Sequence, residues 1–297
     1  MKRFLCFVIF TLAVASVSAQ TPRAHSVEDF FKRGVARYDK GDLDGAFSDF
    51  DHAIELAESL SPGGAAANHL GIINPEAAAI YYNRAVVRYD RRDDAGALAD
   101  LNEALARDPR YVMAWIKRGN LHLNQQAYDE AIRAYDRAIQ LDARAALAWN
   151  NRGLAKQGQG DAAGAYADYD RALALNPRLP VALNNRAGIK HDRGDLQGAL
   201  ADYDKALALD AKLAFVFSNR GVTRKKLGDL RGALADYNQA IQLRPNFGLA
   251  YFNRSSVWKA LGKGLQAEAD FNRSLTFSDN PATQLEPPLE RVKAEQP

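Results

Sequence analysis

One pattern recurs along most of this chain with a period of about 34 residues. Each copy has an arginine followed by a small residue, and an alanine lies twelve residues after that small residue. An aromatic residue or leucine comes four residues later, and another small residue three after that. Six of these pairs are Arg84-Ala85, Arg118-Gly119, Arg152-Gly153, Arg186-Ala187, Arg220-Gly221 and Arg254-Ser255. A seventh copy, at Arg33-Gly34, lies one and a half periods upstream of Arg84-Ala85.

The spacing within a copy predicts two helices. In one copy the large Trp149 lies four residues before the small Gly153, so both occupy one face of a first helix. Ala165, Tyr169 and Ala172 follow at offsets of four and three, which places them on one face of a second helix. Small residues opposite large ones allow two antiparallel helices to approach closely.

Turn residues separate the two helices of several copies. Glycine can adopt the left-handed conformation that ends a helix, and aspartate can cap the next helix. Such pairs occur at Gly41-Asp42, Gly160-Asp161, Gly194-Asp195 and Gly228-Asp229. Proline falls where second helices end, at Pro109, Pro177 and Pro245. The sequence therefore predicts an all-α solenoid of stacked antiparallel helix pairs.

These residues resemble the pattern of tetratricopeptide repeat proteins over roughly residues 27–280. The resemblance implies a right-handed superhelix in which the first helix of each pair lines a concave groove. Arginine departs from the family pattern, because leucine is usual at that position. The copies are predicted at about 27–60, 78–111, 112–145, 146–179, 180–213, 214–247 and 248–280. An insertion is predicted near 61–77 and an irregular tail at 281–297.

Residues 1–19 have the pattern of a signal peptide. A basic start at Lys2 is followed by an apolar run, Phe4–Val14, which is shorter than the roughly 20 residues of a membrane span. Small residues ending at Ala19 predict cleavage between Ala19 and Gln20. The mature protein would be periplasmic or secreted, without the single cysteine, Cys6, and without a stable membrane span.

Composition and motif content argue against several function classes. The formal net charge is only +3, which disfavours nucleic acid as a partner. The five histidines show no metal-ligand spacing, and no phosphate-binding glycine loop or nucleophile elbow is present. We therefore expect no cofactor, no metal and no catalytic residues, and predict that the protein is not an enzyme.

The repeated arginines have two interpretations: an anion-binding stripe, or pairing with acids on the second helices. Two rows of candidate partners share the period. The first row is Asp49, Asp100, Asp168, Asp202, Asp236 and Asp270. The second row is Asp51, Asn102, Asp136, Asp170, Asp204, Asn238 and Asn272. The matched period favours pairing, but the sequence does not decide which row pairs, and the third copy offers only Asp136.

A row of asparagines precedes the arginines and forms the predicted peptide-binding site. It consists of Asn83, Asn151, Asn185, Asn219 and Asn253. The family resemblance places this position on the concave face. An asparagine amide can bond both polar groups of a peptide unit, so the row could hold an extended chain through its backbone. The alternative is that these amides cap or bridge neighbouring helices.

Other groove positions are mixed in character. Apolar contacts would come from Tyr82, Met113, Ile116, Val181, Phe215, Leu249 and Phe252. The C-terminal half is basic, through His191, Lys225, Lys226 and Lys259. This half would suit an acidic segment, or simply form a solvated surface.

The favoured function is an exported protein–protein interaction scaffold that binds a polypeptide segment in the groove. The alternatives are an architectural subunit of an envelope complex, docking through its outer surface, or an enzyme with an unrecognised site.

Overall fold

A computed structural model describes residues 26–60 and 75–277 of the chain. Fourteen α-helices and no strands occupy these two ranges. The helices are α1 (Val27–Asp39), α2 (Leu43–Leu60), α3 (Pro75–Asp90), α4 (Asp94–Arg107), α5 (Val112–Asn124), α6 (Tyr128–Leu141), α7 (Ala146–Gly158), α8 (Ala162–Leu175), α9 (Pro180–Asp192), α10 (Leu196–Leu209), α11 (Ala214–Lys226), α12 (Leu230–Leu243), α13 (Gly248–Ala260) and α14 (Gly264–Thr276). The predicted signal peptide and tail, and residues 61–74 of the predicted insertion, lie outside the described residues.

Consecutive helices pack as seven hairpins, α1 with α2 through α13 with α14. The predicted close approach of small and large residues is confirmed in these pairs. An ideal Cβ atom built on Gly221 of α11 would lie 2.8 Å from the ring of Tyr237 on α12, closer than real side chains allow. The described chain is all-α, as predicted.

The chain divides into two compact units. The first contains the hairpins of α1–α6, and the second contains those of α7–α14 from Arg144 onward. In the first unit, α2 packs on α3 and α4 on α5. In the second unit, α8 packs on α9, α10 on α11, and α12 on α13. Each unit is thus a stack in which a second helix contacts the first helix of the next hairpin.

The glycine–aspartate turns have the predicted geometry. Gly194 has a φ of +86°, and the carboxylate of Asp195 accepts a 2.9 Å hydrogen bond from the backbone nitrogen of Gly198. Gly41, Gly160 and Gly228 also have positive φ, and the aspartate after each caps its second helix in the same way. The sequence pair therefore ends one helix and begins the next.

The repeated aromatic position forms the core in the first six hairpins. Its members Phe50, Leu101, Tyr135, Tyr169, Tyr203 and Tyr237 are at most 2% exposed. The seventh hairpin differs, since Phe271 at this position is 43% exposed and Leu275 is 66% exposed. No further described helix packs over α14, so its core positions remain uncovered.

Candidate functional site

The arginine of each first helix pairs with an aspartate of the second helix in most hairpins. In the fifth hairpin, Arg186 Nε donates to Asp202 Oδ2 at 2.9 Å and Nη2 donates to Oδ1 at 2.8 Å. The same two-bond pairing joins Arg33 to Asp49, Arg84 to Asp100, Arg152 to Asp168, Arg220 to Asp236 and Arg254 to Asp270. The predicted pairing is confirmed, and it uses the first row of acids.

The second row of acids joins neighbouring hairpins. Arg186 Nη1 donates to Asp170 Oδ1 at 2.5 Å, and Asp170 belongs to the preceding second helix. Equivalent bonds run from Arg84 to Asp51, from Arg220 to Asp204 and from Arg254 to Asn238. One planar guanidinium thus binds two second helices at once, which a lysine could not do with the same geometry.

A second cation, four residues after the arginine, contacts the same carboxylate. Lys190 Nζ lies 2.8 Å from Asp202 Oδ2. The same role is played by Arg37, Arg88, Lys156 and Arg224. Sequence reasoning missed these residues, although a cation four positions after the arginine recurs with the repeat period.

The charges of this cluster alter the pKa of Asp202. Burial alone would raise the pKa of its carboxyl group, but hydrogen bonds from Arg186 and Lys190 outweigh burial and hold it below its ordinary value. The hydrogen bond to Asp202 also raises the pKa of Arg186, so both groups are charged at neutral pH. The cluster is an ion network that stabilises the hairpin stack.

The third hairpin lacks this cluster, because Ala134 replaces the first-row aspartate. Within the described part of the chain, Arg118 forms no ion pair with Asp136 or any other acid, and its buried Nε has no hydrogen-bond partner. Its Nη1 donates a long bond, 3.4 Å, to Asn102, and its guanidinium lies 4.1 Å from the ring centre of Trp115. Burial lowers the pKa of Arg118.

Three of the five predicted binding asparagines lie in one chain of amide bonds within the second unit. Asn185 Nδ2 donates to Asn150 Oδ1 at 3.3 Å, and Asn219 Nδ2 donates to Asn184 Oδ1 at 2.9 Å. Asn150 and Asn184 in turn donate to Asn151 and Asn185. These bonds join the first helices α7, α9 and α11. Sequence reasoning missed Asn150 and Asn184, although their Asn-Asn pairs lie one repeat period apart.

The accessibility of the predicted asparagines varies along the row. Asn151 is 4% exposed and Asn185 is 7% exposed. Asn83, in the first unit, is fully buried, and its Nδ2 donates to the backbone oxygen of Ala79 at 2.8 Å. Asn219 and Asn253 are partly exposed. The accessible amides of the row are therefore at its C-terminal end.

A surface of mixed apolar and basic character surrounds these accessible asparagines. We call it the first-helix surface; it consists of His191 on α9, Phe215, Val222, Lys225 and Lys226 on α11, and Leu249, Phe252, Ser256 and Lys259 on α13. Helix α11 contacts both α9 and α13. Lys225 Nζ donates to Ser256 Oγ at 2.7 Å, and His191 Nδ1 lies 2.8 Å from Thr223 Oγ1. These contacts hold the three helices side by side.

Neither a metal site nor a membrane span is found in the described ranges. Histidine, cysteine, aspartate and glutamate do not cluster there in groups of three that could hold a metal ion. No helix of residues 26–60 and 75–277 combines the length and apolar character that crossing a membrane requires.

Family models match the chain over the repeats just described. Models described as tetratricopeptide repeat match residues 82–146, 119–184 and 214–247, and one described as TPR repeat matches residues 187–228. The chain belongs to the tetratricopeptide repeat family. Tetratricopeptide repeat proteins are typically non-catalytic scaffolds that bind protein or peptide partners. A search of curated proteins finds no match.

Solved tetratricopeptide repeat structures share the fold. A tetratricopeptide repeat protein from Parabacteroides merdae is 18% identical, covers 87% of this chain and 96% of its own, and has a TM-score of 0.66. PilW, a type IV pilus biogenesis factor, is 22% identical over 70% of this chain and 98% of its own, with a TM-score of 0.62. PilF of Pseudomonas aeruginosa is 18% identical over 79% and 97%, with a TM-score of 0.64. At these identities the likeness concerns the fold alone.

Proposed function

We propose that this protein is an exported interaction scaffold that binds a polypeptide segment on the first-helix surface of its second unit. The observation that carries the proposal is the apolar row on α11 and α13. Phe252 is 40% exposed, and Phe215 and Leu249 are only partly buried. Large apolar side chains exposed next to accessible amides are typical of binding surfaces rather than of solvated ones.

The predicted asparagine row divides into two roles in this proposal. Asn253 bonds the backbone of the bound segment through its partly exposed side chain, and Asn219 does so in addition to donating to Asn184. Asn151 and Asn185 keep the first helices at a fixed spacing through their bonds to Asn150 and Asn184. Backbone bonding gives affinity with little dependence on the bound sequence, as a general scaffold requires.

Site-specific crosslinking in the living cell tests where a partner binds. A photoreactive phenylalanine analogue at position 252 should capture a polypeptide, whereas the analogue at Arg231, exposed on the second helix α12, should not. Capture from position 231 alone would show docking through the outer surface. Capture from neither position would contradict the proposal.

Alanine variants test the division of the asparagines. Asn253→Ala should reduce crosslinking from position 252 and leave the midpoint of thermal unfolding unchanged, whereas Asn219→Ala should reduce both, because it also loses the bond to the buried Asn184. Asn151→Ala with Asn185→Ala should instead lower that midpoint, because buried amide bonds are lost. The reverse pattern would assign binding to the buried pair.

Export is proposed from the pattern of residues 1–19. The signal pattern predicts that the mature protein begins at Gln20 and contains no thiol. Mass spectrometry of the protein purified from its native cell, together with fractionation of the envelope, measures this directly. A native protein that retains Met1 or Cys6 would contradict export by this route.

A further inference from the structure

Three lysines of the first-helix surface carry charges that no acid neutralises. Lys225, Lys226 and Lys259 are exposed, and none forms an ion pair within residues 26–60 and 75–277. Other cations of the same helices are paired: Lys190 contacts Asp202 on α10, and Arg224 contacts Asp236 on α12. On the first helices α9, α11 and α13, the lysines without an ion pair among the described residues therefore lie on the first-helix surface and not in the cluster inside the hairpins.

The lysines lie in line with the apolar side chains. On α13, Leu249, Phe252, Ser256 and Lys259 are spaced by three, four and three residues, which places them on one helix face. The equivalent spacing on α11 aligns Phe215, Val222 and Lys225.

The bond between Lys225 and Ser256 brings the two stripes together. On each of these helices, apolar side chains thus lie toward the N-terminal end and positive charges toward the C-terminal end.

In the first unit, tyrosines at the same repeat positions are buried and hydrogen-bonded. The counterparts of Lys225 and Lys259 there include Tyr38 and Tyr89, which are 7% and 5% exposed. Tyr38 Oη donates to Asp90 at 2.7 Å, and Asn124 Nδ2 donates to Tyr89 Oη at 2.7 Å. Asp90 also places negative charge where the second unit has Lys226. The repeat fold itself therefore does not require lysine at these positions.

The acid next to His191 does not neutralise the lysines. Asp192 follows His191 on α9 and is exposed, but it makes no ion pair with Lys226 or with another described residue. The charge of Lys226, after burial, contributes to lowering the pKa of His191, so the histidine is neutral at pH 7. The surface keeps a net positive charge.

From this arrangement we infer that the first-helix surface binds an acidic polypeptide segment that also carries apolar side chains. The inference rests on the proposed function and specifies the partner's chemistry. Carboxylates of the segment pair with Lys225, Lys226 and Lys259, and its apolar side chains pack on Phe252 and its neighbours. Apolar side chains beside three lysines suit a peptide better than a nucleic acid, because binding a nucleic acid requires a more extended positively charged surface.

Fluorescence polarisation with synthetic peptides tests the inference. The probe is a labelled peptide of about twelve residues, long enough in extended form to cross three helices. It mixes aspartate and glutamate with phenylalanine and leucine. One comparison peptide has lysine in place of every acid, and another has serine in place of every apolar residue. The purified full chain should bind the first peptide at least about tenfold more tightly than either, and more weakly as salt increases.

Charge-reversed variants supply the matched control. Lys225→Glu with Lys259→Glu should weaken binding of the acidic peptide by about tenfold or more. Lys205→Glu with Lys212→Glu changes net charge equally, at exposed positions on α10 and the loop after it, and should have little effect. Equal losses in the two variants would overturn the inference, because general charge would then explain binding.

Other outcomes also decide the matter. Equal affinity for the acidic and lysine peptides would overturn the inference, and so would tighter binding of a single-stranded oligonucleotide. If crosslinking from position 252 still captures a polypeptide, the proposed scaffold function stands while the acidic preference fails. Binding of the acidic but not the serine-substituted peptide supports both parts of the surface.

Discussion

The third and fifth hairpins are built on the same repeat but differ in their polar interior. In the fifth, Arg186 binds Asp202 and Asp170, and Lys190 shares the first carboxylate. In the third, Ala134 takes the place of that aspartate and Arg118 stacks on Trp115 without an ion pair among the described residues.

Their turns differ as well. The fifth hairpin turns through Gly194 and Asp195, with a left-handed glycine and a capping carboxylate. The third turns through Gln126, which has a φ of +58°, and Ala127, which makes no side-chain cap. A side chain in the left-handed region is strained, so the third turn is less stable in two respects.

The third hairpin nevertheless has the same apolar core. Tyr135, Ala131 and Ala138 are fully buried, like their counterparts in the fifth hairpin. Apolar packing of small against large residues is therefore sufficient for the hairpin to form. The ion cluster and the glycine–aspartate turn add stability to a fold that packing already determines.

The largest effect should come from removing the carboxylate at the centre of the intact cluster. Asp202 is 2% exposed, and Asp202→Ala leaves Arg186 and Lys190 without their shared partner. We expect a loss of about 2–4 kcal/mol in unfolding free energy, measured by urea denaturation. Asp204→Ala removes only the exposed second-row contact to Arg220 and should cost less than about 1 kcal/mol. Equal losses of unfolding free energy would show that the buried carboxylate stabilises the chain no more than the exposed one.

Acid should remove the contribution of Asp202. Its pKa is lower in the folded chain than in the unfolded chain, so its stabilisation is present above the unfolded value of about 3.9 and is lost as pH falls further. The difference in stability between wild type and Asp202→Asn should therefore be constant from about pH 5 to 7 and shrink below about pH 4. A difference that grows in acid would contradict the direction of this pKa shift.

Replacing the equivalent arginine in each hairpin compares the two hairpins directly. Arg186→Ala leaves a buried carboxylate with one cation fewer and should cost about 1–3 kcal/mol. Arg118→Ala removes a partly buried charge that no acid neutralises, so its cost should stay below about 1 kcal/mol. Thermal unfolding of the two variants in parallel checks the ranking. Equal destabilisation would mean that stacking on Trp115 replaces the ion pair completely.

The period of the sequence was sufficient to predict the helix pairs, the glycine–aspartate turns and the pairing of arginine with aspartate. Each of these depends on residues within one hairpin or on spacing along one helix. The two possible rows, represented by Asp202 and Asp170, could not be separated from sequence. Asp202 lies on α10 and Asp170 on α8, and both are within reach of Arg186. Only the packing of successive hairpins shows that the first row pairs within a hairpin and the second row joins two hairpins.

The candidate site was harder to predict for a related reason. The exposure of an asparagine depends on how closely the next first helix packs, which the sequence of one helix does not specify. Asn185 and Asn219 occupy the same repeat position, yet one is buried and the other is partly exposed. The chain of bonds through Asn150 and Asn184 exists only because those helices lie side by side. Peptide binding by the row stays a prediction.

Adding the first-row acid to the third hairpin should create part of the ion cluster that the fifth hairpin has. Ala134→Asp places a carboxylate beside the unpartnered Nε of Arg118 and should raise unfolding free energy by about 1 kcal/mol. The gain should disappear in the double variant with Arg118→Ala, where the new carboxylate is buried without its partner. A double-mutant cycle measures this coupling. No coupling would show that the third hairpin cannot position an acid as the fifth does.

The smallest expected effect concerns the cap of the third hairpin. Ala127 has backbone angles of −80° and 70°, almost those of Asp195 at −76° and 69°. An aspartate at position 127 would therefore direct its carboxylate at the backbone of residue 130, but that residue is Glu130, whereas a Cβ atom on its counterpart Gly198 would overlap Asp195 Oδ2. The carboxylate must shift to cap Glu130, so Ala127→Asp should stabilise the chain by no more than about 0.5 kcal/mol, and Asp195→Ala should destabilise it by about 0.5–1 kcal/mol.

The two changes are matched because they exchange the same two residues at the same repeat position. Urea midpoints measured on both variants give the comparison. Asp129 and Glu130 already place negative charge in the first turn of α6. Their charges interact favourably with the helix dipole but repel a third carboxylate. Because salt screens this repulsion, the gain in stability at position 127 should increase with salt, whereas the loss at position 195 should not. A gain at position 127 that falls with salt would show that dipole attraction, rather than the backbone hydrogen bond, stabilises the cap.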